Sequence, residues 1–199
     1  MAELEDLLAR QFQLQAEADA VAEELNLIPS LQAAGTPFKV GSAALGLMTW
    51  RDLDMTVVCS KLDIAAVSGI ASRWMSDPRI RQMKFMNDTG SWNADPTYPD
   101  GYYAGLDYLS DNGSRWSLDI WFVDDPEKQP DLRHLRTLPG RLNEEAVLSI
   151  LRIKTVWASK AEYGKQVKSF DIYTAVLDNH VRTPDEFERW LRNRDRISG

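Results

Sequence analysis

Apolar residues at Leu4, Leu7, Leu8, Phe12, Val21 and Leu25 recur near helical spacing and predict a helix over residues 2–27, ended by Pro29 and the Ala33–Pro37 run. Phe38–Val40 reads as a short strand, and Ala43–Trp50 as a turn with one helical turn. Asp52–Cys59 alternates and then becomes continuously apolar, as a central strand does. Leu62–Ser76 has helical periodicity and stops ahead of Pro78, and Arg79–Asn87 reads as a strand. Residues 88–103 form a polar, aromatic loop long enough to carry function. Two alternating runs, Tyr102–Ser110 and Arg115–Val123, flank Asp111-Asn112-Gly113, a tight-turn sequence, and predict a hairpin.

Residues 124–140 form a charged, proline-containing connection. Beyond it the chain is helical: Asn143–Gly164, Ser169–His180, and a helix opened by Thr183, Pro184 and Glu186, a capping box with proline at the first helical position. The expected class is therefore mixed α/β (α+β): an N-terminal helix over 1–28, a mixed-sheet core with flanking helices over 29–130, and a C-terminal helical lobe over 140–199.

Composition narrows the function classes. A net charge of −7 argues against broad, sequence-independent nucleic-acid binding. Arg189, Arg192, Arg194 and Arg196 make a local basic cluster that leaves RNA open, although cations also suit a helix C-terminus. The apolar runs are too short for a membrane span, so no membrane partner is expected. An acidic, amphipathic start and a single cysteine, Cys59, fit a cytoplasmic protein.

The chemistry concentrates on the strand at 52–58. Residues i and i+2 of a strand share a face, so Asp52 and Asp54 project together while Leu53 and Met55 point away. Paired carboxylates on a half-buried strand repel unless a cation joins them. Oxygen ligands select Mg²⁺ or Mn²⁺, and two such ions bind about 3.5–4 Å apart in two-metal sites. With two histidines and one cysteine, a zinc site is poorly supplied. Asp119, an acid within the apolar strand Ser117–Val123, is the favoured third carboxylate, and Asp107 on the partner strand is its rival. Upstream, Gly41 permits close backbone approach and Ser42 offers a hydroxyl and an N–H, groups able to cradle a phosphate.

Val40-Gly41-Ser42 followed by Asp52-Leu53-Asp54 resembles the motif of the nucleotidyltransferase superfamily that includes DNA polymerase β and the antibiotic nucleotidyltransferases, with Asp119 in the place of the third acid. The resemblance covers about residues 36–125 and implies that Asp52, Asp54 and Asp119 hold the metals while Gly41 and Ser42 contact phosphates. In the helical lobe, Lys154 lies in the apolar stripe of Val147, Ile150, Leu151 and Trp157, where a cation asks for an anion. Lys154 with Lys168 and Asp171 looks like the helical lobe of bacterial abortive-infection and toxin–antitoxin nucleotidyltransferases, which implies nucleotide contacts for all three; Ser169 departs from that pattern, standing where an acid is expected.

The implied activity is Mg²⁺- or Mn²⁺-dependent transfer of an NMP from an NTP, ATP included, to a hydroxyl of a small molecule, RNA or protein, with release of pyrophosphate. The acidic charge favours a small molecule. A catalytically silent nucleotide- or protein-binding module of the same fold is the alternative. Trp92, Tyr98, Tyr102, Tyr103 and Trp121 are candidates for stacking a base.

Overall fold

The computed structural model describes residues 2–198, with side chains from 5 to 194, so the side chains of Leu4 and Arg196 lie outside the described residues. The chain divides into two compact units. The larger comprises Gln15–Gly46 and Arg51–Thr137, the smaller Met1–Leu14, Leu47–Trp50 and Leu138–Gly199.

A five-stranded mixed sheet organises the larger unit, with strands β1 (Thr36–Lys39), β2 (Asp52–Val58), β3 (Ile80–Asp88), β4 (Gly101–Leu109) and β5 (Arg115–Val123) in the order β1-β2-β5-β4-β3. β2 and β5 run parallel, and every other neighbouring pair is antiparallel. Leu53, Met55 and Val57 of β2 alternate inward with Leu118, Ile120 and Phe122 of β5 and Ala104, Leu106 and Tyr108 of β4, all buried. The predicted hairpin is present: Ser110 and Ser114 close its turn, and Gly113 at φ 81° supplies the left-handed residue.

Helix α4 (Ile64–Met75) is capped by Asp63, whose carboxylate accepts from the Ala65 N–H at 2.8 Å. It buries Val67, Ile70, Ala71 and Trp74, a helical stripe, and packs along β3. Helix α1 (Ala2–Glu24) buries Gln11, Leu14, Ala18 and Val21, whereas Phe12 is 66% exposed, so the inward stripe lies one position off the expected Phe12. α1 also ends earlier than predicted. Asn26 turns left-handed at φ 45°, and a separate helix, α2 (Leu27–Leu31), takes Pro29 into its first turn, where a missing N–H costs nothing. Gly41–Leu45 forms the short helix α3. Within the connection expected at 124–140, Pro130–Thr137 folds as helix α5, with Leu132 buried. Gln129 just before it is also buried, its amide donating to Thr56 on β2 at 3.4 Å.

In the smaller unit, α6 (Glu144–Trp157) packs with α7 (Ser169–Asn179) and α8 (Pro184–Ser198) around Ile150, Ile153, Ile172, Val176 and Phe187. α6 stops seven residues short of the predicted Gly164, because Ala158–Val167 turns back on itself in a Tyr163–Val167 bridge. The Thr183 capping box is formed: Thr183 Oγ1 accepts from the Glu186 N–H at 3.3 Å and Glu186 accepts from the Thr183 N–H at 3.2 Å. No described helix is long and apolar enough to cross a membrane.

The C-terminal turn of α1 is tied to the sheet by Glu24, which accepts from the Tyr108 hydroxyl at 2.7 Å and from the Asp111 N–H at 3.1 Å. Tyr108→Phe leaves the ring packed and removes the donor, and should lower unfolding free energy by about 1–3 kcal/mol in urea denaturation.

Candidate active site

The register of the parallel pair creates the site. Asp54 stands directly opposite Asp119, and Asp52 opposite Ser117, so all three acids share one face of β2 and β5. One oxygen from each of Asp52, Asp54 and Asp119 lies within 4.8 Å of the others, and all three residues are half-buried. Asp107 shares the face but sits one strand farther out, opposite Ser117, where Arg115 donates to it at 2.6 Å. The cluster therefore contains Asp119 and not Asp107. Arg51, the basic neighbour in sequence, donates to Glu17 at 2.8 Å. Three hard carboxylate donors converging without a histidine or cysteine suit Mg²⁺ or Mn²⁺, so the residues present fit the metal that the motif implies.

Gly41 meets this cluster by necessity. It sits at φ 62°, and a Cβ there would lie 2.8 Å from Asp54 Cγ. The adjacent Val40 N–H donates to the Asp54 carbonyl at 3.0 Å, closing β1 onto β2 at the acid itself. Ser42, half-buried, follows in α3. The Gly-Ser pair and the acid pair, separated by residues 43–51 in the chain, are thus adjacent in the fold.

Tyr103, which the sequence pattern places only among the candidates for base stacking, belongs to the site. Its hydroxyl donates to Asp119. Burial first, then the hydrogen bond and charge of Asp119, then the charges of Asp52 and Asp54, push its pKa well above the usual phenol range, so it is a neutral donor. Its ring packs 5.1 Å from Trp121, and Lys84 Nζ lies 5.8 Å from its centre. The available signal was Gly105 in mid-strand, a residue that marks close approach by another group.

The other aromatics separate. Tyr102 faces the opposite side of β4 and stacks on Phe85 at 5.9 Å. Trp92 and Tyr98 are exposed on the 89–100 loop, where Tyr98, Asp100, Asp124 and Lys128 help line an open cleft of about 300 Å³ that includes none of the three acids.

In the smaller unit Lys154 is wholly buried, as its stripe predicts. Its ammonium donates to the Leu47 carbonyl at 2.7 Å and lies 4.9 Å from the Trp50 ring and 5.8 Å from that of Tyr173. Lys168 is the N-cap of α7; its N–H donates to Asp171 at 2.7 Å, and Arg194 donates to the other oxygen of Asp171 at 2.5 Å.

No protein-family profile matches the chain, and no curated protein matches it in sequence. Solved structures do match its fold. A cytoplasmic RNA terminal U-transferase superposes with a TM-score of 0.55 at 15% identity, and two structures of Cid1 poly(U) polymerase, one bound to its short product ApU, superpose with a TM-score of 0.52 at 14% and 15% identity. Each match covers 87% of this chain and 54% of the other, so the chain spans about half the length of these enzymes. The chain has the nucleotidyltransferase fold.

Gly41→Ala combines a left-handed strain of about 1–2 kcal/mol with overlap on Asp54. Gly90→Ala, at φ 57° with open space around it, carries the strain alone. Urea denaturation should show Gly41→Ala as the more destabilised of the two.

Proposed function

We propose that the chain is a divalent-metal-dependent nucleotidyltransferase that moves an NMP from an NTP to a hydroxyl acceptor and releases pyrophosphate. The observation that carries this reading is the convergence of Asp52, Asp54 and Asp119 beside Gly41 and Ser42 on this fold. Asp52, Asp54 and Asp119 would hold Mg²⁺ or Mn²⁺, which when bound supplies charge stabilisation for the phosphoryl oxygens. Asp119, the carboxylate farthest along the sheet from Gly41, would also take the proton of the acceptor hydroxyl. Gly41 offers backbone to the phosphates without a side chain in the way, and Ser42 adds a hydroxyl and an N–H.

Lys154, Lys168 and Asp171 have a different part in this proposal from the direct nucleotide contacts implied by the sequence. A lysine with no exposed surface and its ammonium on a carbonyl supports a role in fixing the Leu47–Trp50 segment, which leads through Arg51 into β2. Lys168 and Asp171 form the start of α7, with Arg194 as its tie to α8.

The acceptor belongs to the class of hydroxyls. RNA 3′ ends enter the test because the terminal U-transferase and poly(U) polymerase share this fold, and small molecules enter because of the net charge of −7. Incubation with each α-labelled NTP, Mn²⁺ or Mg²⁺ and panels of both acceptor types should yield labelled product and pyrophosphate. Asp54→Asn should reduce transfer by at least about 100-fold, as removal of a metal ligand outweighs loss of its supporting hydrogen bonds. Full activity in Asp54→Asn, or label that no NTP and acceptor combination transfers, would refute the proposal.

A further inference from the structure

We infer that Tyr103 is the positioning residue of the third carboxylate, and that Gly105 is glycine so that Tyr103 can reach it. The inference rests on the reading of the acid triad as a metal site.

β4 lies on the side of β5 away from β2, so Asp119 has the Asp52–Asp54 strand on one flank and Tyr103's strand on the other. The residue directly opposite Asp119 on β4 is not Tyr103 but Gly105; Tyr103 is opposite Trp121. To donate to Asp119, the phenol must lie along the strand across the position of residue 105. A Cβ there would be 2.9 Å from Tyr103 Cζ and closer still to its hydroxyl. Gly105 is in no left-handed conformation, and glycine in a strand interior weakens the strand. The missing side chain leaves the corridor that the phenol occupies.

The donor is well suited to hold a carboxylate. A phenol is an uncharged O–H donor, so it holds Asp119 without adding formal charge to the acidic cluster. Its ring is gripped by Trp121 on one side and has Lys84 above it, which restricts the direction from which the hydroxyl arrives. A carboxylate on a strand otherwise has freedom about two torsions, and hydrogen bonds from neighbouring groups are what orient such ligands.

The test reads Mn²⁺ affinity directly, from the paramagnetic resonance signal of the free ion, with no nucleotide or acceptor present. Wild type, Tyr103→Phe, Gly105→Ala, the Tyr103→Phe/Gly105→Ala pair, Asp119→Asn, the Tyr103→Phe/Asp119→Asn pair and Asp52→Asn are compared. Tyr103→Phe keeps the ring and its packing and removes only the donor. Gly105→Ala keeps the hydroxyl but displaces it, on a backbone that accepts alanine. Both should weaken Mn²⁺ binding by about 10- to 100-fold. The paired variant should bind no more weakly than either single one, and Tyr103→Phe should cost nothing further in an Asp119→Asn background. A role in packing alone leaves the affinity of Tyr103→Phe at the wild-type value, and that result overturns the inference. Tighter binding in Tyr103→Phe also overturns it, because the phenol would then be competing with the ion. Should wild type show no Mn²⁺ binding that Asp52→Asn abolishes, the metal reading itself falls and this inference with it; where Asp52→Asn does abolish binding and both Tyr103→Phe and Gly105→Ala retain it, only the positioning role is lost.

Discussion

Three carboxylates on one face of a sheet repel each other, and the larger unit is built around tolerating that repulsion. At separations below 4.8 Å and an effective dielectric of about 20, each pair of ionised groups costs on the order of 3 kcal/mol or more. The opposite face of the same strands supplies the compensation. Leu53, Met55 and Val57 are buried with Leu118, Ile120 and Phe122, and each such side chain contributes roughly 1.5–3 kcal/mol when removed from water. Strand alternation thus couples the two faces: the apolar set fixes the register, and the register fixes Asp54 against Asp119. A slip of one residue would bury the acids and expose the core, so the acid cluster inherits the full stability of the apolar face.

Close approach around the cluster is achieved by removing side chains. Gly41 brings the β1 end against Asp54, and Gly105 opens the path from Tyr103 to Asp119. The two glycines serve opposite flanks of the same acid pair and do so differently, one by a left-handed backbone and the other by an absent Cβ in an extended strand. The donor set that results is oxygen-only, with a neutral phenol beside it and no histidine or cysteine within it.

Much of this was legible from the chain. Alternation in β2 and β5 located the acids on a common face, and the apolar flanks of Asp119 preferred it over Asp107. The structure adds the reason, since Asp107 lies beyond β5 and is paired with Arg115. The hairpin, the Thr183 cap and the inward Lys154 follow from local rules that tertiary packing does not override. What local rules did not give were the contacts between elements distant in sequence. Tyr103 and Asp119 become partners only through the hairpin register, and the Leu47 carbonyl meets Lys154 from more than a hundred residues away. The misplaced stripe of α1 has the same origin. Phe12 satisfies helical spacing with its neighbours, but the buried positions include Gln11, a polar residue that periodicity alone would assign to solvent.

The parallel pairing of β2 with β5 also bears on the order in which the molecule assembles. The two strands are separated in sequence by α4, β3 and β4, while β3, β4 and β5 are successive neighbours. Loop-closure entropy makes the β3-β4-β5 meander the cheaper nucleus and leaves the β2–β5 seam to a later, non-local step. The acids are divided across that seam, with Asp119 on the meander and Asp52 and Asp54 on the strand that joins it. Chains still emerging from synthesis or caught part-folded therefore hold the three carboxylates apart, and bring them together only when the sheet is complete.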